Sequence, residues 1–101
     1  MNALLQSKIK AIQSLAEQYG VKHLFVFGSF ADGQERSDSD IDFLVEFLTN
    51  DPTLYTENYF GLHAALSELL ARDIDLMTIR SIKNPILAAS IDASKELLYA
   101  A

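Results

Sequence analysis

Residues 40–47 alternate between two faces. Asp40, Asp42, Leu44 and Glu46 would lie on one face of an extended chain, and Ile41, Phe43, Val45 and Phe47 on the other. A period of two along that whole stretch is the mark of a strand with one apolar face. Upstream, Leu24-Phe25-Val26-Phe27 is apolar without a break and reads as a short strand buried on both faces. The chain between these two strands is the long polar stretch Asp32 to Ser39, expected to form a loop.

The first of these strands runs directly into Gly28-Ser29. Glycine reaches backbone angles closed to other residues and lets a ligand oxygen approach the main chain. If Ser29 opens a short helix through Gly33, its hydroxyl and the free N–H groups of the first turn suit an anion, with phosphate the natural candidate. Asp40 and Asp42 point the same way from the next strand. Two like charges on one face repel and raise the pKa of at least one, unless a cation lies between them. Hard carboxylate oxygens, with no Cys in the chain and no His nearby, favour magnesium or manganese over zinc.

Other motifs fail on their letters. Gly28 and Gly33 have the glycine spacing of a P-loop, but Gln34 and Glu35 stand where Lys and Ser/Thr belong. A dinucleotide fingerprint needs glycine at position 30, which is Phe. The run from Asp38 to Asp42 begins like a calcium hand, yet Phe43 and Thr49 occupy its glycine and closing glutamate positions. Ser29 and His63 do not make a hydrolase, because Phe27 replaces the first glycine of the nucleophile elbow. His23 and His63 each stand alone and are assigned no chemistry.

The turn Gly28-Ser29, followed after ten residues by Asp40-Ile41-Asp42 between hydrophobic neighbours, resembles the signature of the nucleotidyltransferase superfamily related to the polymerase-beta palm. It is most similar to the minimal nucleotidyltransferases, small proteins paired with HEPN-domain partners as antitoxins. The resemblance implies the polymerase-beta palm-like fold, a triphosphate held at Gly28 and Ser29, and magnesium (two ions, or manganese) held by Asp40, Asp42 and a third carboxylate. It also implies ATP as substrate and an AMP group placed on a tyrosine hydroxyl of a HEPN-domain toxin. Asp75, in Ile74-Asp75-Leu76, repeats the flanking pattern of Ile41-Asp42-Phe43 and is chosen as the third carboxylate. Asp73 has the same parity but falls where an Asp is commonly turn chemistry. Family members often carry Arg where this chain has Asp32, and Arg36 is the substitute cation for the nucleotide. The loop from Asp32 to Ser39 is then the segment expected to move on nucleotide binding.

Half of the 101 residues are hydrophobic, which suffices for one modest core, so residues 1–101 are expected to form a single domain. Leu5, Ile9, Ile12, Ala16 and Tyr19 define an amphipathic first helix ending at Gly20. Asp51-Pro52 starts a long helix carrying Tyr55, Tyr59, Leu62, Leu66 and Leu69 on its core stripe, and Asn84-Pro85 starts a shorter one through about Ile91. Glu96 to Tyr99 is read as an edge strand or a docked tail. The order gives an α/β (α+β) domain with a small mixed sheet of three to four strands covered by helices.

A net charge of −6 argues against direct nucleic-acid binding and suits a protein partner, which allows a hetero-oligomer. No apolar run is long enough to span a membrane and no signal pattern is seen, so a cytoplasmic location is expected. Two other functions fit the letters. One is a catalytically silent antitoxin or nucleotide sensor, kept open by Asp32, and the other is nucleotidyl transfer to a small-molecule hydroxyl.

Overall fold

A computed structural model describes residues 2–33 and 39–101. Its elements run α1 (Ala3–Ser7), α2 (Ile9–Gln18), β1 (Val21–Phe27), α3 (Ser29–Asp32), β2 (Ile41–Phe47), α4 (Pro52–Leu70), β3 (Ile74–Thr78), α5 (Pro85–Ser94) and β4 (Glu96–Ala100). The strands form one mixed sheet in the order β3-β2-β1-β4. β1 pairs antiparallel with β2 and β4, while β2 and β3 are parallel. Parallel neighbours need a long crossover, and α4 is that crossover.

Local chemistry explains the helix ends. Asp51 accepts the amides of Thr53 and Leu54 with Pro52 in the first turn, and Asn84 accepts those of Ile86 and Leu87 with Pro85 in the same place. The first helix departs from expectation. It breaks at Lys8, whose amide donates to the Leu5 carbonyl at 3.1 Å in a tighter three-residue closure before α2 begins. Apolar spacing did not reveal the break because Leu5, Ile12 and Ala16 still reach the same core.

That core joins these residues to Leu24, Val26, Ile41, Phe43, Val45, Leu62, Leu66 and Leu76, between one sheet face and the helices α2 and α4. Each fully buried side chain of this kind contributes about 1.5–3 kcal/mol over exposure. The Tyr59 hydroxyl donates to the Leu76 carbonyl at 2.6 Å and ties α4 to β3. Gly61 is needed where α4 meets α2, since a Cβ there would collide with the Tyr19 ring.

The opposite sheet face is covered less. Phe27, Leu44 and Ile91 of α5 form a small second cluster on it. Phe25 was expected to be buried, yet it is half-buried, with Lys95 Nζ 4.7 Å over its ring. Its strand also begins earlier than Leu24, at Val21. α5 continues to Ser94, past Ile91, and the C-terminal residues pair as a true edge strand. Among the described residues no helix is long and apolar enough to cross a membrane.

Candidate functional site

The site begins where β1 ends. Gly28 has φ 71 and ψ −148, in the left-handed region, and caps the short helix α3. A Cβ added at Gly28 would stand 2.5 Å from Asp42 Oδ2, so the missing side chain is what lets the turn lie against that carboxylate. The Gly28 carbonyl accepts the amides of Ala31 and Asp32 at 3.1 and 3.0 Å, which closes α3 and leaves Ser29 as its first residue. Gly33 ends it in a left-handed conformation, as its place in the sequence predicts.

Sheet pairing brings the acids to the same place. Asp42 lies opposite Phe27 on β1 and opposite Asp75 on β3. The strand alternation is as expected, with Ile41, Phe43, Val45 and Phe47 buried on the helix-covered face. Burial pushes the Asp42 carboxyl above its ordinary pKa, and the charges of Asp75 and Asp40 push it further. Asp40 and Asp75 are exposed. Asp73 lies before β3, and its backbone carbonyl accepts the Ile41 amide at 3.2 Å.

Among the described residues no three Asp, Glu or His side chains stand close enough to enclose a metal ion unaided. The arrangement is a one-sided grip. That donor set fits magnesium, which takes one or two carboxylates and completes its shell with substrate phosphate and water. The repulsion that Asp75 and Asp40 add to burial at Asp42 is the kind that a cation between the carboxylates relieves.

Arg36 lies outside the described residues, as does most of the loop expected to move. Asp32 is exposed at the end of α3. Spacing in the sequence did not point to Ser94 or Arg72, and both reach the site. Ser94 Oγ accepts the Gly28 amide at 3.4 Å from the end of α5. Arg72 contacts Phe30 and Ser39, on either side of residues 34–38. Neither has a motif, because each acts through contacts distant in the chain. A separate cavity of ≈ 280 Å³, lined by Lys22, Glu46, Tyr55 and Arg80 among others, opens at the far end of β2 from Asp42.

Residues 9–101 match the family model described as polymerase beta, nucleotidyltransferase. This chain belongs to the polymerase beta nucleotidyltransferase family. A Methanocaldococcus jannaschii relative, provisionally named a protein adenylyltransferase, is 39% identical over 85 residues, covering 84% of this chain and 82% of its own. The protein adenylyltransferase MntA of Thermococcus cleftensis is 36% identical over 87 residues, with 86% and 82% covered. A solved structure provisionally named a minimal nucleotidyltransferase superposes with a TM-score of 0.77 at 31% identity, covering 95% of each chain. The fold is also shared, at TM-score 0.60 and 23% identity, with a chain of the tri-AMPylated Shewanella oneidensis HEPN toxin in complex with MNT antitoxin, covering 95% of this chain and 72% of that one. The polymerase beta nucleotidyltransferase assignment makes this chain an enzyme acting on a nucleotide substrate, and it accounts for a glycine-serine turn beside paired acids.

Proposed function

We propose that this nucleotidyltransferase moves AMP from ATP to a tyrosine hydroxyl of a HEPN-domain toxin and thereby acts as that toxin's antitoxin. The observation that carries the reading is the register of Asp42 opposite Asp75, with Gly28 packed on the Asp42 carboxylate. The relatives named protein adenylyltransferases support the group transferred, and the tri-AMPylated HEPN toxin supports the class of acceptor.

In this mechanism Gly28 and Ser29 seat the triphosphate, the Ser29 hydroxyl donating to a phosphate oxygen. Asp40, Asp42 and Asp75 would hold magnesium, as one ion or two, which would neutralise phosphate charge and lower the pKa of the acceptor hydroxyl. The acceptor oxygen forms a bond to the α-phosphorus while the bond from that phosphorus to the bridging oxygen of the β-phosphate breaks in line. Pyrophosphate leaves with that electron pair. Asp75, the exposed member of the register pair, takes the proton of the attacking hydroxyl. The chain's own contribution is position and charge. In this reading the acceptor is brought by the partner.

The test is transfer of label from ATP marked at the α-phosphate to a co-purified HEPN-domain protein, in magnesium. Label on the partner's tyrosine that disappears with Asp42→Asn is the expected result. Label that persists with Asp42→Asn removes the mechanism, and partner binding with no label from wild type leaves a silent antitoxin.

A further inference from the structure

The turn between α4 and β3 carries a side chain that touches both halves of the site. Arg72 Nη2 donates to the Ser39 carbonyl at 2.8 Å, and the guanidinium lies over the Phe30 ring, 5.0 Å from its centroid. Ser39 is bonded to Asp40, and Phe30 follows Ser29 in α3. One planar group therefore holds the chain on each side of residues 34–38. The arginine is itself held. Ala71 takes a left-handed conformation at φ 52, the Arg72 amide donates to the Ser67 carbonyl at 3.3 Å, and Ser67 Oγ donates to the Arg72 carbonyl at 2.9 Å. One residue on, the Asp73 carbonyl accepts the Ile41 amide, which fastens the same turn to the first residue of β2. Phe30 is buried in the main core, so the ring beneath the guanidinium is fixed as well.

We infer that Arg72 is a positioning residue that sets where the Ser39–Asp40 end of the acidic strand lies relative to the Gly28-Ser29 turn, so that both grip one magnesium–triphosphate complex at once. The inference rests on the reading of the site under Proposed function. Two grips on one ligand reinforce each other only when their spacing matches it, and a mismatch removes the shared gain while leaving each single grip intact. Arginine suits the task because its face stacks on a ring while its edge donates a directed hydrogen bond. Lysine, a point charge on a flexible stem, has no flat face to lay on the ring and fixes its hydrogen bond in no set direction.

Calorimetric titration of the full chain with a non-hydrolysable ATP analogue, with and without magnesium, needs no acceptor and separates the two ideas. Wild type is expected to bind more tightly with magnesium, and Asp42→Asn to lose that gain. Arg72→Lys is expected to lose about tenfold of the magnesium-dependent gain, with the affinity in chelator and the thermal midpoint close to wild type. Phe30→Leu, which keeps an apolar side chain but removes the ring, should lose part of the same gain, and the double variant should be no worse than Arg72→Lys. An unchanged gain in Arg72→Lys, an equal loss with and without magnesium, or additive losses in the double variant would each overturn the inference. If Arg72→Lys does not fold, Phe30→Leu decides: a selective loss of the magnesium gain supports the role, and none overturns it. A wild type without the gain, or an Asp42→Asn that keeps it, defeats the underlying reading of the site. A gain lost in Asp42→Asn but kept in Arg72→Lys defeats the role of Arg72 alone.

Discussion

Asp42 on β2 and Asp75 on β3 are direct partners in the parallel register, so their side chains leave the same face of the sheet from adjacent strands. The whole of α4, with its apolar stripe, lies between them in the chain. Docking of that helix is what makes them neighbours.

The first prediction concerns stability without metal. Burial and two nearby charges raise the Asp42 pKa in the folded protein, so the folded state binds this proton more tightly than the unfolded chain does. Stability therefore falls as pH rises from the unfolded value through the raised folded one, and the full cost is present above the raised value. Asp42→Asn is expected to raise the thermal midpoint at pH 7 in chelator, with a difference that vanishes toward acid pH where wild type is also neutral there. A lower midpoint at pH 7 would contradict the electrostatic account.

Asp75 and Asp73 can be told apart by rate. Asp75→Asn removes the carboxylate proposed as proton acceptor opposite Asp42 and is expected to slow adenylyl transfer by about 10²–10⁴-fold. Asp73→Asn should leave the rate close to wild type, because Asp73 serves β2 through its backbone carbonyl. Single-turnover rates of the two variants at saturating ATP would check this, and a larger loss for Asp73→Asn would exchange their roles.

At the turn, Gly28→Ala places a Cβ on the Asp42 carboxylate at a left-handed φ. The expected cost is about 1–3 kcal/mol of stability, measured by denaturant unfolding, with transfer abolished. Ser29→Ala should fold like wild type and lose about ten- to a thousandfold in rate, as the loss of one proposed phosphate donor among several.

Removing the hydroxyl that joins α4 to β3 tests the support of the site. Tyr59→Phe deletes the donor to the Leu76 carbonyl, and urea unfolding is expected to show a loss of about 0.5–1.5 kcal/mol. In the core beneath, Phe43→Ala empties a fully buried position on β2, opposite Leu76 of β3, with an expected loss of about 3–5 kcal/mol.

Much of the architecture was legible from local pattern. The alternation from Ile41 to Phe47, the capping pairs Asp51-Pro52 and Asn84-Pro85, and the glycines around α3 each act on their immediate neighbours, where sterics and hydrogen bonding set the outcome. The break at Lys8 and the half-exposure of Phe25 were not legible. The first leaves the apolar face unchanged, and the second depends on how little of that sheet face α5 covers.

From its letters alone, the chain determined the order of its first three strands and the helices between them, that a glycine-serine turn precedes two acids of equal parity, and that Asp75 sits in a matching apolar frame. Tertiary structure decided that Asp75 stands opposite Asp42, that Ser94 reaches the Gly28 amide, and that Arg72 spans Phe30 and Ser39. The reason is the range of the forces involved. Periodicity and turn chemistry are written in neighbouring residues, whereas strand register and long side-chain contacts follow from how Leu62, Leu66 and Ile91 pack helices onto the two faces of the sheet.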